Sequence, residues 1–199
     1  MAITDRPITI VGCGPGGAAY LTDAVRQAVN HAGLLIGASR LLELFPEAKG
    51  ERVAVGTDMA AVLRIMEDRL EQLPIVVLVS GDPGLHSLAQ PVLRRFGRHR
   101  CRLLPGISSV QAAFAAVGID WMNVRILSAH GTTPDIDPRE LASCDKIAVL
   151  AGSPAALNWT GKLAGQLEPR RILLCEDLSR TVVLLLRPEM VAYRGEHGH

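Results

Sequence analysis

The apolar positions of this chain fall into short β-branched or leucine-rich runs at 8–11, 34–37, 53–55, 75–79 and 101–104, with longer stretches of helical spacing between them. Runs this short match strands, and the intervals are long enough for the crossovers that parallel strands require. The pattern therefore predicts βα alternation around a mostly parallel sheet covered on both faces. One helix is especially clear. Met59, Val62, Leu63, Met66 and Leu70 recur on one helical face after a cap at Thr57 or Asp58, while Arg64, Glu67, Asp68 and Glu71 face water.

After Gly118-Ile119-Asp120-Trp121 the pattern restarts, with apolar runs at 124–127, 146–151, 172–175 and 182–186 and a helix from Pro154 to Leu167. The restart predicts two α/β domains, 1–118 and 122–199, the second shortened near 179–181, where Ser179-Arg180 leads almost directly into the last run. The polar stretch 194–199 reads as a frayed end.

Composition narrows the class. With 21 Lys+Arg against 20 Asp+Glu, the chain lacks the basic excess of a broad nucleic-acid or anionic-membrane surface, so an acidic ligand would need a local cation. No apolar run approaches the roughly 20 residues that span a bilayer, and 1–6 does not resemble an export signal. The expectation is a soluble cytoplasmic protein. Cys13, Cys101, Cys144 and Cys175 stand singly, without metal-site spacing, and read as reduced, packed thiols; no metal is expected.

Three segments carry candidate chemistry. In the first, strand 8–11 runs into Gly12-Cys13-Gly14-Pro15-Gly16-Gly17, where Gly12, Gly14 and Gly17 fit the G-x-G-x-x-G pattern of dinucleotide sites. Pro15 removes a donor from that turn, and 35–40 ends without the acidic residue expected to hold a ribose, although Arg40 would suit an NADP phosphate. A tight strand-to-helix turn needs the same glycines.

The second, Ser80-Gly81-Asp82-Pro83-Gly84-Leu85-His86, closes a buried strand at the end where open α/β sheets bind ligands. Asp82-Pro83 reads either as a helix cap with its first-turn proline or as a charged acceptor beside glycines that admit a ligand. The third, Pro105-Gly106-Ile107-Ser108-Ser109-Val110-Gln111-Ala112-Ala113, leads into a small-residue helix, with Ser108 and Ser109 as ordinary caps.

Together, GxGPG, SGDPG and PGISSVQAA resemble the tetrapyrrole (corrin/porphyrin) methyltransferase family. The segments 124–131, 146–151, 172–178 and 41–45 resemble its CbiE-type members, which methylate C5 of precorrin-6Y or cobalt-precorrin-7. The resemblance implies an α/β tetrapyrrole methylase fold whose two domains hold S-adenosylmethionine in the cleft between them, with S-adenosylhomocysteine as product. Matched position by position, the cofactor would touch Pro15, Ser80, Gly81, Asp82, Leu85, Ser108, Ser109, Ala151, Gly152 and Leu178. The precorrin would lie over a trough lined by Gly12, Gly14, Gly16, Gly17 and His130. A homodimer is implied, with C15 methylation and decarboxylation on a partner.

If a protein base exists, His130, beside a glycine past a strand end, is the first candidate; a solvated loop histidine is the plainer reading, and no catalytic group is assigned. Arg40 and the cations of 94–102 are candidate receptors for substrate carboxylates, although cations ending a helix also complement its dipole. Trp121 and Trp159 suit either a planar ligand or packing. Two competing readings are an NAD(P)-dependent oxidoreductase using the 12–17 loop and a noncatalytic subunit of a corrin-methylating complex.

Overall fold

The computed structural model describes residues 7–56, 58–176 and 181–191. The chain divides into two compact units, the first ending at Ser108 and the second starting at Ser109. The division falls ahead of the junction expected at 118–122, because helix α5 (Ser109–Val117) packs against a strand of the second sheet.

In the first unit five parallel strands, β1 (Ile8–Gly12), β2 (Leu34–Gly37), β3 (Glu51–Ala54), β4 (Ile75–Val79) and β5 (Cys101–Leu104), form a sheet in the order β3-β2-β4-β1-β5. Every residue of β4 is buried, as a continuous apolar run requires when both faces of a sheet are covered. Alternate side chains enter opposite cores. Ile8, Ile10, Ile75 and Val77 meet Val62 and Met66 of α3 (Met59–Arg69) and Val92 and Phe96 of α4 (Ala89–Phe96). Val11, Leu35, Val76 and Leu78 meet Val25 and Val29 of α1 (Asp23–Asn30) and Leu41 and Leu42 of α2 (Ser39–Leu42). Asp58 caps α3, its carboxylate accepting from Ala61 N–H at 2.9 Å; Thr57 lies outside the described residues.

The second unit departs from the parallel expectation. Its strands β6 (Arg125–Ser128), β7 (Lys146–Ala151), β8 (Arg171–Cys175) and β9 (Thr181–Leu186) are ordered β6-β7-β9-β8. Only β6 and β7 are parallel; β9 runs antiparallel to both its neighbours. The reason is the connection. Residues 176–180 are too few for the crossover of a dozen or more residues that would bring the chain back parallel, so β8 and β9 form a hairpin. Helix α6 (Pro154–Gln166) starts cleanly: the Ser153 hydroxyl accepts from Ala156 N–H at 3.2 Å, and Pro154 occupies a first-turn position whose N–H has no helical partner.

Candidate functional site

The three glycine-bearing segments of the first unit leave the carboxyl ends of β1, β4 and β5, which are adjacent strands, so the register brings them together. The contact is intimate. A Cβ on Gly12 would lie 2.6 Å from both Gly81 O and Gly106 N, and one on Gly106 would collide with the carbonyl oxygens of Gly81 and Gly12. Glycine is required here because three backbones share one small volume; the missing side chains admit neighbouring loops rather than a ligand.

Hydrogen bonds join the bends further. Cys13 N–H donates to Val79 O at 2.8 Å, and Gly14 and Gly81 exchange N–H···O bonds of 3.3 and 2.8 Å, extending the β1–β4 ladder. Asp82 joins the third bend: one carboxylate oxygen accepts from Gly84 N–H at 2.7 Å and the other from Gly106 N–H at 3.1 Å. The helix-cap reading of Asp82 is therefore corrected. No helix starts at this turn, α4 beginning only at Ala89, and the carboxylate ties the β4 bend to the β5 bend.

The same geometry disfavours a dinucleotide site. The N–H groups of Cys13 and Gly14 are consumed by β4 and Gly81, and Pro15 has none. A turn of tight helix, Ala18–Tyr20, separates the bend from α1, whose first turn is capped by the Thr22 hydroxyl. The helix terminus that would face a pyrophosphate therefore does not follow the loop directly. Gly17, with φ +83°, has open space where its Cβ would be, so it does not provide close helix–strand packing either.

Of the expected site residues, Gly12, Gly14, Pro15 and Gly81 are buried in the junction; Gly16, Ser80, Asp82 and Leu85 are half-buried, and Gly17 is exposed. Ser80 accepts a hydrogen bond from the Arg40 guanidinium. Ser108 ends the first unit and Ser109 starts α5, both with only 6% of their surface exposed. Tyr20 and Ile107, on the loops after β1 and β5, are exposed at 40% and 41%. Nothing in the pattern singled them out, since an isolated apolar residue in a loop carries no periodic signal.

The burial of Cys13 pushes its thiol up to about 12, which makes it inert. The cations after α4 lie at the opposite, amino edge of the sheet, where β5 begins. Arg95 pairs with Glu67, and Arg100 with Glu71 at 3.3 Å. Arg94, Arg95, Arg98 and Arg100 thus stand at helix ends on the edge opposite the glycine junction, and the reading as helix-end cations applies to them; Arg102 lies within β5.

In the second unit Ala129 N–H donates to Leu150 O at 3.0 Å, continuing the β6–β7 pairing past the strand ends. This sets His130 beside Gly152. A Cβ on Gly152 would overlap the His130 ring, falling 2.8 Å from Cε1 and onto Nδ1, so the imidazole rests directly against the Gly152 backbone. Ala151 is buried and Gly152 exposed; Leu178 lies outside the described residues. Trp159 packs on the core of this unit, whereas Trp121 is 48% exposed.

A residue the apolar pattern hid is Lys146, which opens β7. Although 7% exposed, its ammonium donates to Asp120 O at 3.0 Å and to the Asp120 carboxylate at 2.7 Å. These bonds hold the Asp120 carboxyl below its ordinary value.

Residues 7–186 match the family model for tetrapyrrole (corrin/porphyrin) methylases. The chain is 37% identical over 143 residues to a cobalt-precorrin-7 C(5)-methyltransferase from Salmonella typhimurium, covering 72% of this chain and 70% of that one. Among solved structures, the fold is similar to the cobalamin-biosynthesis precorrin-6Y methylase of Archaeoglobus fulgidus, with a TM-score of 0.71 and 23% identity over 90% of this chain and 97% of that one. It is also similar to the uroporphyrin-III C-methyltransferase of Thermus thermophilus solved with S-adenosylhomocysteine, with a TM-score of 0.72 and 22% identity over 96% of each chain.

Proposed function

The chain belongs to the tetrapyrrole (corrin/porphyrin) methylases, and on that premise we propose that it methylates C5 of a precorrin macrocycle, precorrin-6Y or cobalt-precorrin-7, in cobalamin biosynthesis. It is an S-adenosylmethionine-dependent methyltransferase. The observation that carries the reading is the junction of the bends at Gly12, Gly81 and Gly106 on three adjacent strand ends, with Ser80, Asp82 and an open Gly17 around it.

The residues present fit the cofactor's chemistry. Asp82 spends two of its roughly four lone-pair sites on backbone N–H groups, which leaves acceptor capacity for a ribose hydroxyl or an ammonium. The Ser80 hydroxyl and the open backbone at Gly17 add polar contacts, while Leu85 supplies apolar surface. In the second unit Ser109, Ala151 and Gly152 are the proposed contacts, and in the first Pro15, Gly81 and Ser108.

When bound, S-adenosylmethionine supplies an already activated methyl on a sulfonium. The protein's share of catalysis is to hold the accepting carbon in line and exclude water, and no covalent nucleophile is needed. The exposed Tyr20 and Ile107, with the strip Gly16-Gly17, offer a flat macrocycle an apolar bed beside the junction. If a side chain rather than water receives the C5 proton, His130, whose ring rests against Gly152, is the candidate.

We further place the protein in the cytoplasm as a homodimer, with C15 methylation and decarboxylation on a partner protein. No helix among the described residues is long and apolar enough to cross a membrane. Ile172 and Leu174 lie on one face of β8, exposed at 54% and 52%, an apolar strip suited to a second copy.

The test is titration calorimetry with S-adenosylhomocysteine, followed by incubation of metal-free and cobalt-bearing intermediates with a ¹³C-methyl donor. The expected product carries the label at C5 by NMR. Saturable NADPH binding without S-adenosylhomocysteine binding would overturn the assignment.

A further inference from the structure

A ligand bearing carboxylates needs a cation at the carboxyl edge of the five-stranded sheet, and the loops there contain few. Residues 13–22, 55–58, 80–88 and 105–108, which follow β1, β3, β4 and β5, hold no Lys or Arg. The segment 38–48 after β2 holds one, Arg40; Lys49 stands just before β3 begins, at the opposite edge of the sheet. Arg26, on α1, also reaches toward this edge, where its guanidinium donates to Ala18 O at 2.6 Å.

Arg40 is differently placed. Its side chain spans from β2 to the adjacent β4 and donates to the Ser80 hydroxyl, a neutral acceptor. Among the described residues no carboxylate lies within ion-pair distance of it. The acids of the same edge are engaged elsewhere: Asp58 caps α3, and Asp82 holds Gly84 and Gly106. The guanidinium thus stands at the glycine junction with an uncompensated charge and four of its five N–H donors uncommitted.

We infer that Arg40, tethered by Ser80, is a carboxylate receptor at the edge of the methyl-transfer site. The inference rests on the reading of the first unit as a methyltransferase site. The carboxylate has two possible sources, the amino-acid end of the cofactor and the acidic side chains of the tetrapyrrole. A guanidinium forks two parallel hydrogen bonds onto either, and Ser80 fixes its direction by restraining a side chain that would otherwise lose much freedom on binding.

The experiment compares wild type with Arg40→Gln and Arg40→Lys against three probes: S-adenosylhomocysteine, 5′-methylthioadenosine, which has the same nucleoside without a carboxylate, and uroporphyrin III, an eight-carboxylate tetrapyrrole. Calorimetry reads the first two and fluorescence quenching the third. Arg40→Gln is expected to raise Kd for a carboxylate-bearing probe by roughly tenfold to a hundredfold, with partial recovery in Arg40→Lys and an unchanged melting temperature. If S-adenosylhomocysteine weakens while 5′-methylthioadenosine does not, the receptor serves the cofactor. If uroporphyrin III weakens while both nucleosides bind as before, it serves the macrocycle. Equal binding of all three probes by wild type and Arg40→Gln overturns the inference, as does a uniform weakening of all three. A wild type that binds neither S-adenosylhomocysteine nor uroporphyrin III removes the methyltransferase reading itself, and the receptor with it.

Discussion

Replacing Gly106 by alanine tests the junction directly. The new Cβ would lie 2.6 Å from Gly12 O and 2.7 Å from Gly12 C, and closer still to Gly81 O. These atoms are backbone and cannot rotate away, and the β1–β4 and β1–β5 ladders hold them in register. Forcing a methyl into such packing costs about 1–3 kcal/mol. Moving the β5 bend aside to relieve it would break the Asp82–Gly106 bond, a charge-assisted contact of about 1.5–3 kcal/mol. By either route the expected loss is about 1.5–3 kcal/mol, a substantial part of the roughly 5–15 kcal/mol that holds a domain together. With a urea dependence of about 2 kcal/mol per molar, the midpoint of the first unit's transition should fall by roughly 0.8–1.5 M. Gly17→Ala is the control: its Cβ meets nothing, so only the left-handed backbone is penalised, by roughly 1–2 kcal/mol. If Gly106→Ala melts within about 0.5 M of wild type, the shared-volume argument is wrong.

Other perturbations have equally definite outcomes. Gly152→Ala should disturb the second unit through the His130 ring, and the double variant with His130→Ala should recover most of the lost stability in urea titrations; additive losses would contradict the contact. The buried Cys13 thiol resists ionisation up to about 12 while an unfolded one ionises near 9.0, so its stabilisation is complete below pH 9 and fades as pH rises. Each pH unit above 9 removes about 1.4 kcal/mol, so between pH 8.5 and 10.5 Cys13→Ala should lose about 2 kcal/mol less than wild type in isothermal unfolding. Removing Asp120 leaves the buried Lys146 ammonium without its carboxylate, so Asp120→Ala should lower the melting temperature more than Lys146→Met does. Gly161, inside α6 with open space at its Cβ, should tolerate alanine and gain about 0.5–1 kcal/mol in denaturant melts.

The first sheet was legible because each of its buried strands is a short apolar run bounded by helical spacing. Runs 34–37, 75–79 and 101–104 coincide with β2, β4 and β5. Strand β3 was displaced toward Val55 because it begins with Glu51 and Arg52 on an exposed edge, where burial imposes no pattern. Strand direction was not legible in the second sheet, since an apolar run reads the same either way and only the short 176–180 connection carries the antiparallel answer. At the site, the three glycine bends were visible as motifs, but the physical demand behind them was not. Glycine that admits a ligand and glycine that admits another loop look alike until adjacent strands are known. The choice between cap and acceptor at Asp82 stayed open for the same reason: its partner Gly106 is remote in sequence. Lys146 was masked by the apolar residues that follow it in β7.

The fusion of three loop backbones has a mechanical corollary. A bend that can neither grow a side chain nor shift by itself behaves as a keystone, and displacing one voussoir loosens the whole arch. Attempts to retune which acceptor the protein takes are therefore better aimed at the surround, at residues such as Tyr20, Arg40 and Ile107, whose side chains lie outside the volume that Gly12, Gly81 and Gly106 share.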